Sequence, residues 1–225
     1  MLFFLISVLC VFLVIVFRWV NPPTSGVMIQ RKVESFFSES SDVSSASPVI
    51  WASFNDISSY IMLAAIASED QRFYQHGGFD LVQLKKAIKD KMNGKPLRGA
   101  STISQQTAKN LFLWTGRSYV RKGLEVWFTL LIEMFWSKDR ILEVYLNIIE
   151  FGTGINGIQS ASQVFFNKSA NHISPNQAAL LISVLPNPHK MKVETPSAYM
   201  YERQSWILLQ MKQLGNIELL KKTQF

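Results

Sequence analysis

Met1–Phe17, MLFFLISVLCVFLVIVF, contains no charged side chain and nothing more polar than Ser7 and Cys10. Such a run has few places to go. A helix needs about 20 mostly apolar residues, each rising about 1.5 Å, to cross a bilayer, and this run, continued by Trp19 and Val20, is near that length. A cleaved signal peptide also has a short apolar core, but an A-x-A-like site of small residues follows it. Here RWVNPPTSG follows, with Trp19 suited to the interfacial belt and Pro22-Pro23 stopping the helix. The expectation is one uncleaved N-terminal transmembrane helix within residues 1–20. Charge does not orient it: only the α-amino group precedes the run, and Arg18 follows it.

The remaining chain reads differently. From Asn21 to Pro48 the sequence is mixed and ends in the Ser-rich SESSDVSSASP, which predicts a linker or juxtamembrane segment over 21–48 and a folded domain over 49–225. That length is enough to bury one sizeable core. Cys10 is the single cysteine, so intramolecular disulfides, Cys-based metal sites and redox pairs are excluded. A formal net charge of +7 suits an anionic partner, whether nucleic acid, lipid headgroup or phosphate-bearing substrate, without choosing among them.

Helical periodicity dominates the domain. Ile57, Tyr60, Ile61, Ala64, Ala65 and Ser68 fall on one helical face that ends near Glu69. Asp80 is a plausible N-cap for Leu81, Leu84 and Ile88, with Gly94 closing that helix. Ser118 predicts the start of a long helix through Phe135, and Ser137 the start of another through Ile148. SPNQAALLISVLPNP offers Ser174 as N-cap, Pro175 at the first helical position, Gln177 for a capping box and Pro186 as the stop. Alternation suggestive of a strand occurs only around Val27–Val33 and Val49–Ala52. The fold class expected is mainly α.

Several stretches carry chemistry-bearing residues. GASTISQQTAKN, Gly99–Asn110, packs hydroxyls, two Gln, Lys109 and Asn110 into twelve positions, with Arg98 and Arg117 flanking. A capping box of Thr102 and Gln105 explains two of them; the rest suit either a solvated face or a phosphate-bearing ligand near a helix N-terminus. Lys109 lies four residues past Gln105, which places the two on one face. In RSYVRKGLEVW, Glu125 follows Arg121 by four residues and Lys122 by three, which an ordinary helical ion pair of at most about 0.5 kcal/mol also explains. GTGING, Gly152–Gly157, matches G-x-G-x-x-G, but a helix and not a strand precedes it, so it reads as an inter-helix turn and not a dinucleotide site. His76, His172 and His189 show no metal-ligand spacing. No S-x-x-K occurs, which argues against a penicillin-binding acyl-serine centre.

In their order these stretches resemble the peptidoglycan glycosyltransferases of family 51, in the monofunctional form. E-D-x-x-F-x-x-H-x-G-F-D appears as Glu69-Asp70, Phe73, His76, Gly78, Phe79 and Asp80. G-x-S-T-I-T-Q-Q-x-x-K-N runs from Gly99 to Asn110 with Ser104 at the usual Thr; R-K-x-x-E is Arg121–Glu125; I-L-E-x-Y-L-N is Ile141–Asn147. The glycine-rich turn and the segment after it run from Gly154 to Lys168, with Phe165 at the usual Tyr, Asn156 where an aromatic is common and Gln159 where an acidic or small residue is common.

The resemblance implies a lysozyme-like, mainly α glycosyltransferase domain with a small hydrophobic subdomain near the membrane. It implies polymerisation of lipid II into β-1,4-linked glycan with inversion and release of undecaprenyl diphosphate. Glu69 is then the general base toward the sugar 4-hydroxyl, Asp70 is structural, and Glu125 assists the departing diphosphate, directly or through a divalent metal, Mg or Mn. The substrate-binding set implied is Ser101, Thr102, Gln105, Gln106, Lys109, Asn110, Arg117, Arg121 and Lys122. Expected partners are lipid II, the growing glycan, the membrane and other cell-wall synthesis proteins, with no nucleic acid; the expected location is the inner membrane, catalytic domain in the periplasm. A muramidase or lytic transglycosylase on a similar scaffold is the nearest alternative, and a noncatalytic cell-wall partner the second.

Overall fold

The computed structural model describes residues 1–37, 49–94, 101–116 and 118–222, and its regular structure is almost entirely helical. The first helix, α1, Leu2–Val16, has 15 residues, and among the described residues no helix is long and apolar enough to cross a membrane. Its end is set by the domain behind it. The Trp136 indole N–H donates to Val14 O at 2.7 Å, and the Arg140 guanidinium donates to Phe17 O and Val20 O at 3.0 Å and to Asn21 Oδ1 at 2.9 Å. Those carbonyls lack intrahelical donors, so an arginine fork is a fitting terminator. Val14 is consequently fully buried.

The first part of the segment expected as linker or juxtamembrane is a helix, α2, Gly26–Phe37, packed on α5, Ile103–Phe112. Ser25 Oγ accepts from Met28 N at 3.2 Å and begins the helix after Pro22-Pro23. A Cβ on Gly26 would overlap the Leu113 carbonyl, so the two backbones meet where only glycine fits. The strand-like alternation at Val27–Val33 is therefore helical. Val49–Ala52 forms no strand, and residues 38–48 lie outside the described residues.

The centre of the domain is α3, Ser59–Glu69. Ile61 to Ala67 are all buried, so this helix is enclosed all round and not, as one apolar face would suggest, laid against a surface. Each large aliphatic side chain buried this way contributes roughly 1.5–3 kcal/mol. It packs against α9, Pro175–Ser183, and α10, Ala198–Leu214, while α5 packs against α6, Tyr119–Phe135, and α7, Lys138–Ile148. The expected caps at Asp80, Thr102, Ser118, Ser137 and Ser174 all hold, Asp80 opening α4, Leu81–Met92. The glycine-rich stretch is a short antiparallel hairpin, β1, Glu150–Gly152, with β2, Ile155–Asn156, leading into α8, Ile158–Phe166; α11, Ile217–Lys222, closes the described chain.

Candidate active site

Glu69 is the last residue of α3, where an enclosed helix delivers its side chain to the edge of the core at 17% exposure. A carboxylate there faces the negative end of the helix macrodipole, so donors must hold it. Gln106 Nε2 donates to Oε2 at 3.0 Å, Ser68 Oγ to Oε1 at 3.0 Å, and Arg203 Nη2 reaches Ser68 Oγ at 3.0 Å and Glu69 Oε1 at 3.5 Å. Behind Gln106 stands Tyr145, completely buried, whose hydroxyl donates to Gln106 Oε1 at 3.4 Å. Burial, then the charges of Glu69 and Asp70, pushes that phenol well above its ordinary range, so it stays a donor. With its oxygen facing Tyr145, the Gln106 amide presents N–H to Glu69.

Asp70 turns the other way. Its Oδ2 accepts from Ile103 N at 3.1 Å and its Oδ1 lies 2.9 Å from His76 Nε2. Thr102 Oγ1 donates to Gly78 O at 2.6 Å, and Gly78, at φ +89°, sits against Thr129 and Glu133 where a Cβ would clash. Asp70 and the turn after it therefore bind the first signature to the N-terminus of α5. Asp70, His76 and Asp80 are the one group of three metal-type side chains whose ligand atoms lie within 4.8 Å of one another among the described residues. Asp80 caps α4 and pairs with Arg72 at 3.4 Å, and Asp70 and His76 Nε2 hold each other, while the buried His76 Nδ1 has no partner among the described residues. The spacing of the histidines gave no hint of this cluster, because two aspartates complete it.

Glu125 is buried in α6 and both its oxygens are taken, Oε2 by Arg121 Nη1 at 2.8 Å and Oε1 by Lys122 Nζ. This is no ordinary surface pair. Arg121 also donates from Nε to Gly116 O at 2.8 Å and is 12% exposed. Lys109 faces the same ions. Burial, opposed by Glu125 and reinforced by Arg121 and Lys122, holds its ammonium below the usual lysine range, and among the described residues it has no hydrogen-bond or ion-pair partner. A desolvated, unpaired cation is a poised anion ligand.

A cavity of about 300 Å³ joins these parts: Gln106, which holds Glu69, and Arg121, which holds Glu125, both line it, with Lys109 and Asn110 between. Gln106, Lys109 and Asn110 follow the i, i+3, i+4 stripe of α5. Gln105, expected on the same face as Lys109, instead points into the capping box with Thr102; Ser101 is exposed just before that cap, and Lys122 is half exposed. Arg117 lies outside the described residues. A larger cavity, about 680 Å³, is lined by Tyr74, His76, Glu133, Lys138, Asp139 and Lys221; neither signature glutamate lines either cavity, but only the smaller one is lined by their partners Gln106 and Arg121. Its polar groups are mainly paired with one another, Lys138 with Glu133 at 2.7 Å, and Tyr74 and Lys221 with Asp139 at 2.9 and 2.6 Å.

Sequence reading missed Tyr145 and Arg203 as supports of Glu69. Tyr145 lies inside a motif but looks like a core aromatic, and Arg203 sits on α10, a helix whose start the periodicity did not signal.

A family model described as Transglycosylase matches residues 38–212. The chain is 52% identical over 218 residues to the biosynthetic peptidoglycan transglycosylase of Chromohalobacter salexigens, covering 95% of this chain and 90% of that one. It is 52% identical over 202 residues to the protein of the same name from Cronobacter sakazakii, covering 90% and 83%. With that from Pseudomonas syringae pv. syringae it shares 49% over 212 residues, covering 94% and 88%.

Proposed function

The chain belongs to the transglycosylase family and is a peptidoglycan glycosyltransferase, and on that premise we propose how its cavity performs the transfer. Glu69 takes the proton from the 4-hydroxyl of one lipid-linked disaccharide as that oxygen attacks the anomeric carbon of the growing chain. The C1–O bond to the diphosphate breaks with its electron pair going to the leaving group, and the α-linked donor becomes a β-1,4 link. A hydroxyl attacks poorly until its proton is moving, so a positioned base supplies about 10²- to 10⁴-fold. Ser68, Gln106 and Arg203 orient the carboxylate, whose side chain stays 17% exposed.

Lys109 and Arg121 meet the diphosphate as its negative charge grows, and Arg117 belongs with them by its place after the second signature. Glu125 fixes Arg121 and Lys122 and keeps their charge in place. A divalent metal does not fit Glu125 in this arrangement, since both oxygens already accept from cations, and the Asp70–His76–Asp80 group is engaged in the fold. The steps assigned above are those of protein side chains.

The apolar α1, packed against α6, acts as the membrane anchor, and exposed apolar side chains on α4 and α6, among them Leu84, Ile88, Leu130 and Met134, suit the same lipid surface. Arg140 and Trp136 fasten the anchor to the domain, which holds the cavity in the plane of its lipid substrate and raises the effective concentration. Lipid II is polymerised outside the cytoplasm, so the domain belongs on the periplasmic side of the inner membrane, in company with other cell-wall enzymes.

The observation that carries the reading is a cavity shared by the hold on Glu69 and an unpaired, half-buried Lys109. The experiment is incubation of the purified chain with labelled lipid II. Polymer is the expected product; degraded glycan would make it a hydrolase, and unchanged lipid II a noncatalytic partner.

A further inference from the structure

Helix α2 precedes all the signature motifs, yet it forms one wall of the cavity. Val27 and Arg31 line it together with Lys109 and Arg121. The helix is fixed in place at three points: the Gly26 backbone lies against Leu113, Thr115 N donates to Gln30 Oε1 at 2.6 Å, and Arg31 Nη1 donates to Glu150 Oε1 at 2.6 Å. Arg31 Nη1 also lies 2.7 Å from His189 Nε2.

The donor inventory singles out Arg31. Arg121 uses both Nε and Nη1 on Gly116 and Glu125. Among the described residues Arg31 is bonded only through Nη1, so Nε and Nη2 remain to donate, and its side chain is 31% exposed. Two free N–H directions on one planar group match two phosphate oxygens. Glu150, 8% exposed, holds the guanidinium at the wall without using the rest of its fork. The cavity also has an apolar side, with Val27, Trp114 and Leu185, next to this cation. A ligand with an anionic head and an apolar tail fits that pairing.

We propose that Arg31, delivered by the juxtamembrane helix α2, is a substrate-binding residue that takes phosphate oxygens of the prenyl diphosphate alongside Lys109. The proposal rests on the diphosphate reading of the cavity, which Lys109 tests independently. It makes α2 part of the substrate site, so that the segment joining anchor and domain carries binding chemistry of its own.

The test uses the full-length chain in detergent with farnesyl diphosphate as the probe, measured by calorimetry beside the KM for lipid II. Arg31→Ala is expected to weaken probe binding by about tenfold, the scale of one charge-assisted contact. It should raise KM more than it lowers kcat and leave the thermal midpoint near wild type. Arg31→Lys should recover part of the affinity, and Glu150→Gln, which loosens the hold on a guanidinium it leaves intact, should cost less affinity than Arg31→Ala. Wild-type probe affinity in Arg31→Ala, with affinity lost in Lys109→Ala, overturns the proposal and spares the diphosphate reading. Wild-type affinity in both variants overturns the two together. Equal losses in Arg31→Ala and Glu150→Gln, each with a lowered thermal midpoint, overturn it in favour of a brace.

Discussion

The two signature glutamates are held in opposite ways. Glu125 takes its partners from its own helix, Arg121 one turn back and Lys122 beside it. Glu69 has one local donor, Ser68, but takes Gln106 from α5 and Arg203 from α10, with Tyr145 of α7 standing behind Gln106. A locally held group can be assembled wherever its helix forms, whereas a group held from three other helices exists only when the whole core is packed. The difference suits the roles: the base must be placed against a specific hydroxyl, while the diphosphate is met by charges of longer reach.

The comparison breaks most visibly at the carboxylates. Glu69→Gln keeps the shape but cannot accept a proton, so polymerisation is expected to fall by about 10²- to 10⁴-fold, with circular dichroism and thermal midpoint near wild type. Near-normal turnover by the folded variant would remove Glu69 from the base role. Glu125→Gln leaves Arg121 and Lys122 beside a neutral amide, and a loss near the lower end of that range is expected in a lipid II assay. Breaking a buried pair also costs about 3–5 kcal/mol where both ions are enclosed; Lys122 is half exposed, so a smaller drop in chemical stability is expected here. A mild effect on both activity and stability would return Glu125 to an ordinary ion pair.

This contrast also decided what was legible in the sequence. Caps announce themselves locally, so Asp80, Thr102, Ser118, Ser137 and Ser174 marked helix starts before any tertiary contact was known. The Arg121–Lys122–Glu125 arrangement was readable for the same reason, although its burial was not: the same spacing occurs on solvated helices. Gln106 was among the expected site residues, but its hold on Glu69 depends on how α5 crosses α3. Arg203 was invisible because 134 residues separate it from Glu69. Helix α2, within the segment expected as linker or juxtamembrane, was not legible as a packed helix because it is held in place by contacts with Leu113, Thr115 and Glu150, none of which its own periodicity encodes.

A pH profile sharpens the cationic half of the comparison. Burial holds the Lys109 pKa below the ordinary 10.5, so its charge is lost at a lower pH than that of a surface lysine. The activity assay should therefore show kcat/KM for lipid II falling on the alkaline side before 10.5. Stability runs the other way. Between the folded value and 10.5 the unfolded chain binds more protons at this site, so its contribution to stability rises with pH. Loss of activity without loss of fold is the expected signature, and Lys109→Arg, which stays charged, should move the limb to higher pH. An unchanged limb in that variant would assign it to another group.

The smallest expected effect tests the tertiary half. Tyr145→Phe removes a hydroxyl that touches neither glutamate, and it donates to Gln106 at 3.4 Å, a long contact. The stability cost should accordingly be about 1 kcal/mol or less by denaturant titration. Its catalytic effect comes through orientation. Without the donor, the Gln106 amide is free to turn its oxygen toward Glu69, replacing an attraction with a repulsion and moving the carboxylate off its line to the incoming hydroxyl. A few-fold fall in kcat with KM unchanged is expected, since a misplaced base affects the transition state and not substrate capture. Gln106→Ala should lower kcat further, and the double variant should match Gln106→Ala alone, because the hydroxyl acts only through that amide. Additive losses would give Tyr145 an effect independent of Gln106, and the hold on Glu69 would then have to be apportioned between Ser68 and Arg203.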